Sequence, residues 1–430
     1  MTPHLLDRRR FLQAGLATAT VFVGCGPTGS GGGTGGGGAA GGSAGGGAAG
    51  GGAAGGGAAG GGAAGGGMMP MRTSNLLNLG PLQVMDANGV RLPAGFTSRI
   101  VARTGEAPVA GSALWHGAPD GGACYPTPDG GWIYVSNSEL SGGAGGVGAL
   151  RFDASGAVVG YQRICTGTSR NCAGGKMPWG RWLTCEESGE GGQVWDCDPT
   201  GAQAAVARPA LGRFNHEACI WEPTEGKMYL TEDQPDGGFY RFTPTTITNG
   251  VPSLGSGVLE VAQRQGAGPG GAVTWLVVPD PSGAMGPLRT QVACTPFDGG
   301  EGIVTHGGTV YFSTKGDNRI WEYDVASRAL NVFYDQATSA MPFLSGVDNI
   351  ELAAGGDLLV AEDGADLEII GLTQSGQVVR VVQLIGHGSS EIAGPAFDPS
   401  GTRLYFSSQR GTTGASSGGI TFEVTGPFHV

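Results

Sequence analysis

Basic residues are scarce in this chain: 24 Lys and Arg stand against 36 Asp and Glu, a formal net charge of −12. A nucleic-acid partner needs a basic face to meet phosphates, so this balance argues against that class and suits cation binding. No CxxC pair occurs among the eight cysteines, which argues against a structural zinc ribbon. Long apolar runs are missing as well, and the apolar stretch Ala14 to Gly24 is too short to span a bilayer as a permanent helix. Helical periodicity is nearly absent from the body of the chain. Short apolar or alternating runs there are punctuated by Gly, Pro, Asp and Asn.

What is present begins with an address. Arg8-Arg9-Arg10-Phe11-Leu12 has the twin-arginine pattern, and the apolar stretch ends at Val21-Phe22-Val23-Gly24-Cys25. That ending resembles a bacterial lipobox, with Phe22 where Leu is usual. Residues 1–25 therefore read as a twin-arginine signal peptide with cleavage before a lipidated Cys25. Export by this route carries proteins already folded, which suits a cofactor loaded in the cytoplasm. The expected location is periplasmic or cell-surface, with membrane contact only through the lipid. Residues 26–75 are dominated by Gly and Ala and cannot offset their ordering entropy, so they read as a disordered tether. This tract inflates the glycine count of 87. Residues 76–430 remain as one monomeric domain, ample for a large core.

Six hairpins recur in that domain. Each has a first strand, a tight turn and a second strand that ends in polar or acidic residues. They run Cys124 to Glu139, Pro178 to Glu187, Glu217 to Asp233, Glu301 to Asn318, Asp348 to Asp363 and Glu391 to Arg410. The second strands end at residues 139, 187, 232, 317, 362 and 409, spacings of 48, 45, 85, 45 and 47. The long gap holds Thr243 to Ala293, which reads as an insertion or extra hairpins. About four strands per ~45-residue unit is propeller-blade spacing, so an all-β, six-bladed β-propeller is expected. A sandwich is the competing fold, but it does not explain the period.

The two ends of a hairpin lie together. Glu217 is therefore expected near Glu232 and Asp233, Glu301 near Asp317 and Asn318, and Asp348 near Glu362 and Asp363. If these are the inner hairpins of a propeller, all six sets meet at one channel mouth, where only cations offset their repulsion. The most informative block is Cys185-Glu186-Glu187, which closes the strand Trp182-Leu183-Thr184. It sets a soft sulfur beside two hard oxygens, donors that favour different metals. Candidate metal ligands are Cys185, Glu186, Glu187, Asn137, Glu139, His216, Glu217, Glu232, Asp233, Glu301, Asp348, Glu362, Asp363 and Glu391. Of the other cysteines, Cys165 and Cys172 are close enough to form a disulfide, with Cys185 and Cys197 a competing pair.

Asn171-Cys172-Ala173-Gly174-Gly175, Pro178-Trp179-Gly180, Trp182 through Glu187 and Gly212-Arg213-Phe214-Asn215-His216-Glu217 resemble the bacterial alkaline phosphatases of the PhoX type. The likeness extends through Glu301-Gly302, Asp348-Asn349-Ile350, Glu362-Asp363-Gly364 and Ser390-Glu391-Ile392-Ala393-Gly394 to Thr425-Gly426-Pro427-Phe428. Asn137-Ser138-Glu139 departs from that family's Asn-His-Glu. The resemblance implies a six-bladed propeller hydrolysing phosphomonoesters with an iron and calcium cluster. It implies Cys185 as the iron thiolate, with Glu217, Glu232, Glu301 and Glu362 among the metal-holding acids. The family's Arg two residues before the acid matching Glu301 is missing, since Gly299 stands there. Arg213 or Arg410 is the expected substitute for binding substrate phosphate. Two alternatives stay open on the residues alone: a calcium-dependent propeller acting on lactones or esters, and a non-catalytic propeller binding a cell-envelope partner.

Overall fold

The computed structural model describes residues 72–364 and 366–430; the expected signal peptide, Cys25 and the expected tether through residue 71 lie outside the described residues. Among the described residues the protein is all-β, with helix limited to three-residue 3₁₀ turns, and no helix is long and apolar enough to cross a membrane. Four separate sheets of four or five strands stand beside one nine-stranded sheet and a two-stranded ribbon. The whole has a propeller-like arrangement.

All six expected hairpins are present. Their first strands are Pro119–Pro126, Asn171–Lys176, His216–Glu222, Gly300–His306, Val347–Leu352 and Ile392–Phe397. Each of these packs against the next around a ring, and the last returns to the first. A cavity at the centre is lined by residues of all six. The second strands follow one step outward. Trp132–Ser138, Trp182–Glu186 and Leu358–Glu362 are buried along their whole length. Sheets cover both faces of such strands, which is why they read as unbroken apolar runs rather than alternating ones. Outer strands such as Thr97–Arg103 keep exposed positions.

Two details differ from the sequence expectation. The second hairpin begins at Asn171 rather than Pro178, because Met177 to Arg181 form its turn and not its first strand. The long gap holds extra hairpins, one of its two expected readings, but they are not set apart from the sheets: Gly257–Arg264 pairs with Phe239–Pro244 as the outer strand of the third sheet unit. The next strand, Gly271–Val277, bridges Gly257–Arg264 to Ala329–Asp335, which fuses two units into the nine-stranded sheet. Chain ends close the ring. Thr97–Arg103 adds to the C-terminal strand Ile420–Thr425, and the Thr73 N–H donates to the Val430 carbonyl at 2.9 Å. The residues just before Leu76 are therefore paired with the domain.

Crowding around the centre is severe. A Cβ on Gly302 would lie 2.5 Å from Ile350 N and 2.8 Å from both Asn349 Cα and Asp348 O, all backbone atoms of the neighbouring inner strand. Backbone cannot yield as a flexible side chain can. Gly302→Ala is expected to destabilise the domain by about 1–3 kcal/mol, read as a lower midpoint in urea unfolding. An unchanged midpoint would show that the inner strands are less tightly apposed.

Candidate metal centre

The same irregularity occurs in every hairpin. The register between first and second strands shifts just after the first strand begins, between Pro119 and Gly122, Asn171 and Gly174, His216 and Cys219, Gly300 and Ile303, Val347 and Ile350, and Ala393 and Ala396. A bulge of this kind re-aims one side chain out of the strand's alternation. In five hairpins the residue at that point is Asp120, Cys172, Glu217, Glu301 or Asp348. A second repeated feature is the residue following each second strand. The backbone N–H groups of Glu139, Glu187, Asp233, Lys315, Asp363 and Gln409 donate to Ala118, Arg170, Asn215, Gly299, Gly346 and Glu391 carbonyls, at 2.8 to 3.2 Å. Bulge and strand-end positions together build one cluster.

Within it, three sets of donor atoms lie within 4.8 Å of one another: Cys172, Glu187 and Glu217; Asp120, Glu139 and Glu391; and Glu217, Glu301 and Asp348. Glu217 belongs to two sets, and neither of its buried carboxylate oxygens has a hydrogen-bond partner. A fully buried, unpartnered carboxyl among other carboxyls is costly unless a cation takes its lone pairs, so the donor set fits metal ions. Burial, followed by Glu301 and Asp348, pushes Glu217 well above the usual carboxylate range. Burial and then Glu139 push Glu187 up to about 8, while burial raises Asp348 to about 7 even with Lys315 opposing it.

Amides hold the acids in place. Gln409 donates to Asp120 Oδ2 at 2.6 Å and Glu139 Oε2 at 2.8 Å, and Asn215 donates to Glu187 Oε1 at 3.0 Å. Asn137 is a positioning residue: its Nδ2 donates to the Cys172 and Ala173 carbonyls at 2.8 and 2.6 Å, while its Oδ1 accepts from Trp182 Nε1 at 2.9 Å. Lys315 Nζ lies 2.9 Å from Glu301 Oε1 and 3.3 Å from Asp363 Oδ2, and Arg410 Nη1 lies 3.0 Å from Glu391 Oε2.

The expected ligands thus divide. Glu139, Glu187, Glu217, Glu301, Asp348 and Glu391 join the three sets, and Asp233 and Asp363 lie beside them. Cys185 does not: its buried side chain packs with Met177, Leu183, Val194 and Cys219 in a hydrophobic cluster, and the sulfur among the carboxylates is that of Cys172. Strand alternation explains the rest. Glu186, Glu232 and Glu362 are the last residues inside their second strands, so they face the sheets instead of the cluster. Glu186 accepts from the Ser169 and Gln193 N–H groups, Glu362 from those of Ser345 and Glu368. Glu232 accepts from Gly238 N–H and Tyr240 Oη and pairs with Arg289. His216 bonds through Nε2 to the Gly212 carbonyl at 3.1 Å, its ring tilted against that of Phe214. Arg213 forms no ion pair among the described residues. All seven described cysteines are free, so neither expected disulfide is present.

Sequence reasoning missed Asp120, Cys172, Lys315 and Gln409. The signal was there. Asp120-Gly121, Cys172-Ala173, Glu217-Ala218 and Glu301-Gly302 share one pattern of donor then small residue, and extending the first two hairpins a few residues upstream exposes it.

An all-β propeller-like domain that gathers carboxylates from every hairpin, and one thiol, is a protein built to hold cations at one mouth. Residues 133–198 and 190–411 match the family model of alkaline phosphatase PhoX, and the chain belongs to that family. Among solved structures it is similar to Pseudomonas fluorescens PhoX in complex with vanadate, a transition state analogue. That match has a TM-score of 0.68 at 18% identity and covers 81% of this chain and 98% of that one. A weaker likeness, TM-score 0.39 at 16% identity, joins 76% of the chain to 96% of regucalcin, a calcium-binding protein of Agrobacterium tumefaciens. No curated protein matches the sequence.

The raised carboxyls set a pH dependence for the metal-free protein. A carboxyl whose folded pKa exceeds its unfolded value binds more protons when folded, so its stabilising effect is complete below the unfolded value and lost as pH rises through the folded one. With Asp348 at about 7 and Glu187 at about 8, the chelated protein should lose Tm between about pH 4.5 and 8.5. Added calcium should restore it at the upper end. A chelated Tm that is flat or rising over that range would show that these acids do not repel one another in the fold.

Proposed function

We propose that the chain is a metal-dependent phosphoester hydrolase of the alkaline phosphatase type, acting on phosphomonoesters with iron and calcium held in the carboxylate–thiol cluster. The observation that carries this reading is Glu217: a buried carboxylate with both oxygens unpartnered, shared between a sulfur-containing set and an all-oxygen set. Cys172, Glu187 and Glu217 offer the mixed soft and hard donors that iron accepts. The sets Glu217, Glu301, Asp348 and Asp120, Glu139, Glu391 offer only oxygen, which suits calcium. Bound there, such ions supply Lewis-acid polarisation of a phosphoryl oxygen. The chain's own contribution is positional. Asn137 fixes the strand that carries the thiol, Gln409 spaces Asp120 from Glu139, and Asn215 orients Glu187, so the site is preorganised before substrate arrives.

The wider assignment follows the same reading. The nine-stranded sheet counts as two blades sharing the Gly271–Val277 strand, which makes six blades. Arg8-Arg9-Arg10-Phe11-Leu12 and Cys25 support export by the twin-arginine route and lipid anchoring in the periplasm or at the cell surface, with the tether ending before Thr73, which pairs with the domain, and the domain monomeric. The thiol among the acids favours this function over a calcium-only lactonase.

Two cysteine variants separate the structural assignment from the sequence expectation. Cys172→Ser should lose iron and most phosphatase activity while keeping calcium, whereas Cys185→Ser should keep both metals and lose only stability, by about 1–2 kcal/mol. Elemental analysis of the purified chains checks this. Iron retained in Cys172→Ser but lost in Cys185→Ser would return the ligand role to Cys185.

A further inference from the structure

The channel mouth is anionic, and a phosphoryl dianion entering it is repelled unless positive groups face it. Metal ions meet part of that need. Two side chains of the chain itself carry positive charge there, and neither belongs to the metal-binding sets. Lys315 follows the Thr309–Thr314 strand, at the position that holds Glu139, Glu187, Asp233 and Asp363 in other hairpins. Its backbone N–H is fixed on the Gly299 carbonyl at 2.8 Å, and its side chain stays 29% exposed. Arg410 comes from the sixth hairpin, its N–H fixed on Ser390 Oγ at 2.9 Å and its side chain 31% exposed.

Asp363 lies between them. Lys315 pairs with it directly at 3.3 Å, and Arg410 approaches it from the other side through Glu391, which it meets at 3.0 Å. Each cation also keeps donors in reserve. Arg410 directs one side-chain N–H, on Nη1, to Glu391, of the five a guanidinium has. Lys315 meets two carboxylates, Glu301 and Asp363, with an ammonium that has three N–H bonds. Partly exposed cations with unused donors, at the rim of a buried acidic cluster, are placed to meet an incoming anion.

We infer that Lys315 and Arg410 are the phosphoryl-binding pair of this protein, holding the non-bridging oxygens of a phosphomonoester dianion on either side of Asp363. The inference rests on the phosphatase reading. Arg410 brings a planar fork able to take two oxygens, and Lys315 a compact charge. Arg213, the other arginine considered, has no part in the pair.

The test is the affinity of the metal-loaded full chain for inorganic phosphate by calorimetry, with metal content measured on each sample. Lys315→Met and Arg410→Met should each weaken phosphate binding about 10- to 100-fold with metals retained, and Lys315→Arg should recover most of the loss. Arg213→Gln should bind as wild type does. Where Lys315→Met sheds metal, Arg410→Met decides, and wild-type phosphate affinity in that variant overturns the pair. A wild type that hydrolyses a chromogenic phosphomonoester while both Met variants bind phosphate normally overturns the pair alone. A metal-loaded wild type that neither hydrolyses nor binds phosphate overturns the phosphatase reading beneath it.

Discussion

Like-charge repulsion at the channel mouth is the constraint on which the rest of this structure depends. Asp120, Glu139, Glu187, Glu217, Glu301, Asp348 and Glu391 converge with Cys172 into three donor sets, each within 4.8 Å. In a low-dielectric setting their ionised forms cannot coexist without cations. Everything that builds the site serves to hold these groups together regardless: the bulge in each hairpin, the repeated N–H to carbonyl bond at each strand end, and the Asn and Gln amides that fix individual oxygens. Stability has been traded for a preformed set of donors, and the upward displacement of Glu217, with both oxygens buried and unpartnered, marks the trade.

The period-2 alternation of a strand divides the labour between neighbouring acids. In Glu186-Glu187, Glu232-Asp233 and Glu362-Asp363 the first carboxylate is the last residue of its strand and bonds the surrounding loops and sheets, while the second lies just past the strand end and faces the mouth. The inner acid is a structural clamp and the outer one a site residue. The fourth and sixth hairpins break the acidic pattern with Lys315 and Gln409 at the outer position. Lys315 offsets part of the charge of Glu301 and Asp363, and the acids elsewhere around the ring are left to the cations.

Much of this was legible in the sequence because the repeat is a repeat of turns and strand ends, both written locally. The Pro128-Asp129-Gly130-Gly131 and His306-Gly307-Gly308 turns mark their hairpins directly, and the convergence of hairpin ends follows from antiparallel pairing. What was not legible depends on facing. Whether Cys185 or Cys172 joins the acids turns on which side of a strand each occupies, and a bulge shifts that side; its donor-then-small-residue pattern shows only once the strand start is placed. Cys185 sits inside a buried strand and packs against Met177 and Cys219, whereas Cys172 sits at a bulge hidden by a misplaced strand start. The fusion of two sheets through Gly271–Val277 is likewise a long-range pairing that the Gly- and Pro-rich run around it does not announce.

The most direct test of this account is X-ray absorption at the iron edge on the wild-type chain, together with its calcium content. The account predicts bound iron with one sulfur donor in a mainly oxygen shell, and calcium in the same preparation. Iron with no sulfur donor, or a folded, active phosphatase that carries no iron, would contradict it.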